Sequence, residues 1–466
     1  MKQSFFLLLL FLPFLHGAAL TVDSGTLESA LPVDELGKAT TLSLSGTMDA
    51  RDFKYLSDNM PATLSALDLS QVEVTEYSDR EALFGNQAFY GAGELPSGCF
   101  AGSPIREIAL PKNLVSIGDG AFAGCLNLEA LTIPSSVKQI GNFAFSGASA
   151  LTNLNGGNAV EAIGDYAFSH CSLLSILPSF ASLKAIGDYA FLNCVSMSDF
   201  DFPQSLEAIG EGAFKDTRLA ALDLGNCTNL GELGAWAFAG NEALGAEELP
   251  SAASRVGEGI FYGCTSLRQA SWAASADVGD FAFAGCVSIE NAELPEGTVN
   301  VGNYAYSGAA LISEFAIPSS VESIGERAFK DWRALSLLTS KAEVPPVLGD
   351  DVWEGVSKAG VYLSVPESSE RAYRAAPQWR DFFTASMVDQ IAENELRVVS
   401  GNEHVTLYSN EKIKYAELYD LAGILLASQR PECGEASFGL SQYGGKIFVA
   451  RCVFDNGKTE IVKFRK

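Results

Sequence analysis

The feature that most constrains this chain is a six-residue pattern, Ile-Gly-x-x-Ala-Phe, that returns every 23 residues. Its glycines are Gly118, Gly141, Gly164, Gly187, Gly210, Gly234, Gly257, Gly279, Gly302 and Gly325, with one interval of 24 and one of 22. A fixed period of this length marks a solenoid. Each repeat forms one coil that cannot bury its apolar face alone, and stacking buries a continuous core. Ile117, Ile140, Ile163, Ile186, Ile209 and Ile324 are expected to point inward. Phe122, Phe145, Phe168, Phe191, Phe214, Phe238, Phe261, Phe283 and Phe329, with Tyr306 substituting once, form an aromatic spine. The pattern glycines read as tight bends or positive φ. Asp, Asn or Glu follows most of them, and the Asp and Asn residues read as caps of a one-turn helix starting at Ala-Phe. Each coil then runs into a short strand, as in Leu128 to Ile133, closed by Pro134; Pro111, Pro203, Pro250, Pro295 and Pro318 close the equivalents. The expected interior has parallel strands and no helix longer than two turns.

Cys125, Cys171, Cys194, Cys264 and Cys286 each stand three residues after a spine aromatic, where other coils place Ser103, Ala148, Thr217, Asn241 or Ala309. That interchange reads as a small buried slot holding a free thiol. Pairing of Cys433 with Cys452 stays open.

The ends differ from the repeat. Residues 20–100 read as an N-terminal cap with degenerate repeats, including strands at Leu42–Gly46 and Leu67–Leu69 and a helix from Asp49 to Asn59. Residues 101–340 are the solenoid and 341–384 a C-terminal cap rich in Trp353, Tyr373, Trp379, Phe382 and Phe383. From 388 to 466 the charge is nearly balanced and alternating strands are broken by Gly444-Gly445 and Asn456-Gly457, which reads as a small β-sandwich. The fold class expected is therefore mostly β: a capped solenoid followed by a sandwich.

The formal net charge of −26 sits almost wholly before residue 385. Such a surface repels nucleic acid and anionic membrane and favours basic partners. Lys2, the apolar run Phe5 to Leu15 and Gly17-Ala18-Ala19 read as a signal peptide over residues 1–19. No later stretch is apolar enough to span a membrane. The expected localisation is secreted.

No catalytic constellation is legible. Of the three histidines, His16 leaves with the signal peptide, and neither His170 nor His404 stands in a nucleophile setting or a metal-ligand spacing. No catalytic residue, metal or cofactor is expected. Two surface columns are candidate ligand-binding sites. Asp199, Asp201, Asp223, Glu248, Glu293 and Glu314 should face outward from the strand column, beside small residues such as Ala130, Thr132 and Asn153. They form an acidic face for a basic partner or Ca²⁺, or simply a solvated face. Phe143, Tyr166, Tyr189, Trp236, Phe281 and Tyr304 stand two residues after the pattern glycines. They form either a sugar- or protein-binding ridge or rings packed on one another.

The run Ile-Gly-Asp-Tyr-Ala-Phe at 163–168 and 186–191, with Cys three residues on and Pro closing the strand, resembles the BspA-like leucine-rich repeat family over roughly residues 20–384. Thr26-Leu27, Leu44-Ser45-Gly46, Asp52-Phe53 and Leu67-Asp68-Leu69 look like the N-terminal region of Bacteroidetes members. The resemblance implies a protein secreted by, or held at the outer surface of, a Gram-negative bacterium, where it adheres to host matrix proteins or other bacteria. Leu418 to Gly423, Gly445 to Val449, Asn456-Gly457-Lys458 and the basic end Lys463 to Lys466 resemble type IX secretion sorting domains. Ile447-Phe448 departs from that family's tyrosine placement, which leaves a plain Ig-like module open. The function expected is protein–protein interaction or adhesion. The alternatives are a glycan-binding accessory protein, or an envelope structural protein without external ligand.

Overall fold

A computed structural model describes residues 19–78, 82–85, 87–248, 257–271, 277–384, 396–400, 404–431, 433–440 and 447–465. The signal-peptide reading, apart from Ala19, and Pro250 lie outside the described residues. The chain divides into two compact units, Met1–Ala273 and Ala274–Lys466.

In the first unit every coil contributes to inter-coil ladders, because one turn of 23 residues returns the backbone to hydrogen-bonding distance of its predecessor. One parallel sheet runs Leu20–Val22, Thr41–Met48, Ala66–Val74, Glu107–Ala109, Ala130–Ile133, Asn153–Gly156. A second takes a two-residue strand from each coil, from Glu94–Leu95 to Glu232–Leu233. In it Ile117, Ile140, Ile163, Ile186 and Ile209 stand register on register and are buried. The spine follows as expected: Phe122, Phe145, Phe168 and Phe191 are buried, with adjacent centroids 5.0–5.2 Å apart and nearly parallel planes.

Three local readings are corrected. No helix forms at Ala-Phe. The segment is a turn flanked by two left-handed residues, such as Tyr189 (φ 54°) and Asn193 (φ 58°), which stop helical propagation. Alternate N–H groups instead donate to the next coil, as Phe145 N–H does to Ala167 O and Phe168 N–H to Ala190 O, while those of Ala144 and Ala167 close turns onto Gly141 O and Gly164 O. The pattern glycines Gly118, Gly141, Gly164, Gly187 and Gly210 do not have positive φ. They permit close approach: a Cβ on Gly187 would lie 2.5 Å from Asp165 Oδ1 and 2.6 Å from Asp165 N. The Asx residues are not helix caps either. Asp119 Oδ1 accepts the N–H of Asn142, Asn142 Oδ1 that of Asp165, Asp165 Oδ1 that of Asp188, and Asp188 Oδ1 that of Glu211, all at 2.7–2.8 Å. The column is a side-chain ladder along the stack, and the glycines make room for it.

The N-terminal cap contains the 10-residue helix Ala50–Asn59, longer than two turns, started by a capping box between Asp49 and Asp52. Asp52 is buried and also accepts the N–H groups of Gly25 and Leu27, tying the first turn of the chain to this helix.

In the second unit, Glu314–Ile317, Leu337–Ser340 and Tyr362–Ser364 form a parallel sheet. Trp353 stacks beyond Phe329 at 4.9 Å and, with Tyr373, Trp379 and Phe382, closes the core. Short helices Glu370–Ala375 and Arg380–Thr384 carry Tyr373 and Phe382, and Trp379 lies in the turn between them. The strands between Leu396 and Arg465 form one antiparallel sheet curled into a half-barrel, not two separate layers. The reason is the 17-residue strand His404–Asp420, whose pairing register shifts around Ile413. Its first half pairs with Leu396–Ser400 and Cys433–Gly439, its second with Leu425–Gln429 and Ile447–Phe454.

Candidate interaction surfaces

The strand-column alternation survives where the ladder does not. Past Gly156 the next coils are joined in this column by a bridge between Asn153 and Ile176, and no strand precedes Pro203 or Pro295. Inward rings fix the register instead. Phe200 packs edge-on against Phe191 and Phe214, and Phe202 against Phe214. Asp199 and Asp201 flank Phe200 and stay exposed, as does Asp223 between buried Leu222 and Leu224. In the second unit Glu293 and Glu314 are exposed. Glu248 lies in the strand Ala246–Glu248, and its side chain is outside what is described. Asn153, expected outside, is buried with an unpartnered Oδ1. Among the described residues no three His, Cys, Asp or Glu side chains gather to hold a metal ion.

Phe143, Tyr166, Tyr189, Trp236, Phe281 and Tyr304 all occupy left-handed backbone, φ 53–59°. Bulky residues adopt it at a cost of order 1–3 kcal/mol, which only a surrounding structure sustains. Here the neighbouring coils supply it: the N–H of Tyr166 donates to Asp188 O and that of Tyr189 to Glu211 O. The rings stack face to face, Phe143 on Tyr166 at 4.9 Å, Tyr166 on Tyr189 at 5.0 Å and Phe281 on Tyr304 at 5.1 Å. Tyr189 lies over Gly212 and Trp236 over Gly259, where any Cβ would strike the ring. The hydrogen bond to Glu211 pushes the Tyr189 phenol up to about 12. Stacking covers ring faces and leaves edges at the surface.

His170 occupies a left-handed position that other coils fill with Gly147 or Gly240, and it stands 3.5 Å from Asn193 Nδ2. His404 is exposed at the start of its strand. The cysteine slot has a role that its size alone did not reveal. Cys125, Cys171, Cys194 and Cys264 donate their thiols to the carbonyls of Phe100, Phe145, Phe168 and Phe238 in the preceding coil. Asn241 and Trp332 donate to the same kind of carbonyl. Cys99, Cys125, Cys171, Cys194, Cys227, Cys433 and Cys452 form no disulfide, burial pushes Cys194 up to about 12, and of these seven only Cys433 is exposed. Cys433 and Cys452 do not pair: Cys452 is in the half-barrel core, opposite Ala416.

The sequence model described as the BspA type leucine rich repeat region (6 copies) matches residues 93–220, 161–277 and 231–345, together more than half of the chain. The chain belongs to the BspA-type leucine-rich repeat family. No curated protein matches this BspA-type chain in sequence. Solved structures similar to it include a leucine-rich repeat protein from Bacteroides ovatus, at 24% identity over 64% of this chain and 82% of that one, TM-score 0.42. Another is a leucine rich cell surface protein from Faecalibacterium prausnitzii, at 21% identity over 56% and 85%, TM-score 0.29. A third is the pneumococcal vaccine antigen PcpA, at 21% identity over 67% and 82%, TM-score 0.38. No helix among the described residues is long and apolar enough to cross a membrane.

Proposed function

We propose that this BspA-type protein is exported to the bacterial surface and acts there as an adhesin, holding basic protein partners on its solenoid coils. The observation that carries the reading is the exposed carboxylate series Asp199, Asp201 and Asp223, fixed between buried Phe200, Leu222 and Leu224. A rigid array of like charge attracts a cationic partner and costs no ordering of the scaffold on binding. Family membership supports an interaction role rather than a reaction. Glu293 and Glu314 extend the acidic theme in the second unit.

Binding to surfaces coated with host matrix proteins tests this. The wild type should be retained at low salt and released as salt rises. The triple change Asp199→Asn, Asp201→Asn, Asp223→Asn, which keeps shape and removes charge, should lower retention roughly tenfold. Equal retention of the two chains would rule out this face.

The half-barrel is proposed as the export signal, on the resemblance of Leu418 to Gly423 and of the basic end to sorting domains. Deleting residues 388–466 should leave the chain in the periplasm on cell fractionation. Normal surface display of the deleted chain would make the domain a passive module.

A further inference from the structure

At two places in the aromatic column this protein covers a ring face with a cation of its own. In the second unit Arg327 follows Tyr304 in the aromatic column and lies 5.9 Å over its ring, donating to Tyr304 Oη and Glu354. In the first unit Trp236 begins after a glycine, Gly212, and Lys215 of that preceding coil lies 5.6 Å over the indole. Ammonium and guanidinium groups are drawn to ring faces by the quadrupole.

The run Phe143–Tyr166–Tyr189 begins in the same way without the cover. The preceding coil again has glycine at this column, Gly120, and the coil before it has Gly98. A Cβ on Gly98 would meet nothing within 4 Å, and one on Gly120 only the Ala123 methyl at 3.8 Å. The position equivalent to Lys215, one residue after the spine phenylalanine, is Ala123. Phe143 is accordingly 48% exposed. Asp119, one residue before Gly120, is exposed, and its Oδ1 is held by Asn142 N–H.

We propose that the open leading face of Phe143 is the docking platform for an arginine or lysine side chain of a basic protein partner, with Asp119 supplying the counter-charge. The occupant follows from charge complementarity and from what covers the equivalent ring at Trp236. The proposal rests on the protein-interaction reading and names one contact within it. A neutral sugar would need the same face but gains nothing from Asp119 as an anion.

The test is fluorescence anisotropy of a labelled hexa-arginine peptide with the full chain at physiological ionic strength. The wild type should bind it. Phe143→Ala should bind roughly tenfold more weakly, as expected for loss of one partly desolvated cation–π contact. Ala123→Lys rebuilds the cover found at Trp236 and should weaken binding by a similar factor without removing the ring. Leu192→Lys adds the same charge in the same column of another coil and should change little. Asp119→Asn keeps the ladder acceptor, as Asn142 does, and should weaken binding through charge alone. No binding to the wild type, or equal weakening by Ala123→Lys and Leu192→Lys, would overturn the platform. Matrix retention that depends on Asp199, Asp201 and Asp223 but not on Phe143 would leave the adhesin reading standing while this inference falls.

Discussion

Replacing Phe191 by alanine is expected to destabilise the first unit by about 3–5 kcal/mol, the range for a large ring deleted from a packed core. Phe191 is fully buried. Its ring stacks at 5.2 Å on both Phe168 and Phe214 and meets Phe200 edge-on at 5.4 Å. The cavity therefore opens on three coils at once. Two of these rings, Phe200 and Phe214, also fix the register where the strand-column ladder is absent. The loss should spread, since a coil is supported only by its neighbours. Urea denaturation followed by circular dichroism should show a lower midpoint, and hydrogen exchange should rise in the coils on either side. A change below about 1 kcal/mol, the ordinary range for surface positions, would mean the spine is not a core.

What the sequence made legible is what repeats within one coil. The Ile and Phe columns repeat at the coil period and demand burial, so their inward direction follows from periodicity and apolar character alone. The outward carboxylates were legible for the same reason: Asp199 and Asp201 alternate with Phe200 and Phe202. What stayed hidden is set between coils. The glycines do open a tight turn, as Ala167 N–H bonding Gly164 O shows, but positive φ is not what they supply; the constraint that demands glycine is a backbone 23 residues earlier. The true left-handed positions were masked by Phe143, Tyr166, Tyr189 and Trp236, residues that rarely adopt positive φ. The thiol slot looked like a matter of size because Ala shares it; the waiting carbonyl of the preceding coil is a partner that composition does not show. The half-barrel was read as a sandwich because a strand as long as His404–Asp420 serves both halves, and turn signals do not mark a mid-strand register shift. The Phe143 platform did leave a signal, since two glycines, Gly98 and Gly120, precede the first ring of the column. It takes the fold to show that Lys215, the counterpart of Ala123, lies over the ring of the following coil.

The corrected role of the glycines gives a second large effect. Gly187→Ala is expected to cost about 3 kcal/mol, the upper part of the range for overpacking. The added methyl would lie 2.5 Å from Asp165 Oδ1, 2.6 Å from Asp165 N and 2.6 Å from the Gly164 carbonyl carbon. A side-chain oxygen can swing away. The two backbone atoms cannot, unless the coils part. Parting them breaks the bond from Gly187 N–H to Ile163 O at 2.8 Å, and moving the carboxylate breaks the ladder bond from Asp188 N–H to Asp165. Gly147→Ala is the informative contrast. Gly147 has φ +74°, and an added methyl would meet nothing closer than 3.9 Å. Its column also accepts His170, Asn193 and Asp216 in left-handed backbone. Its cost should be only the intrinsic left-handed penalty, about 1–2 kcal/mol. The ordering of the two therefore separates the explanations. If glycine were selected here for backbone freedom, Gly147→Ala would be the worse change. If it is selected for close approach between coils, Gly187→Ala is worse, and urea midpoints of the two single variants, measured side by side, decide the matter.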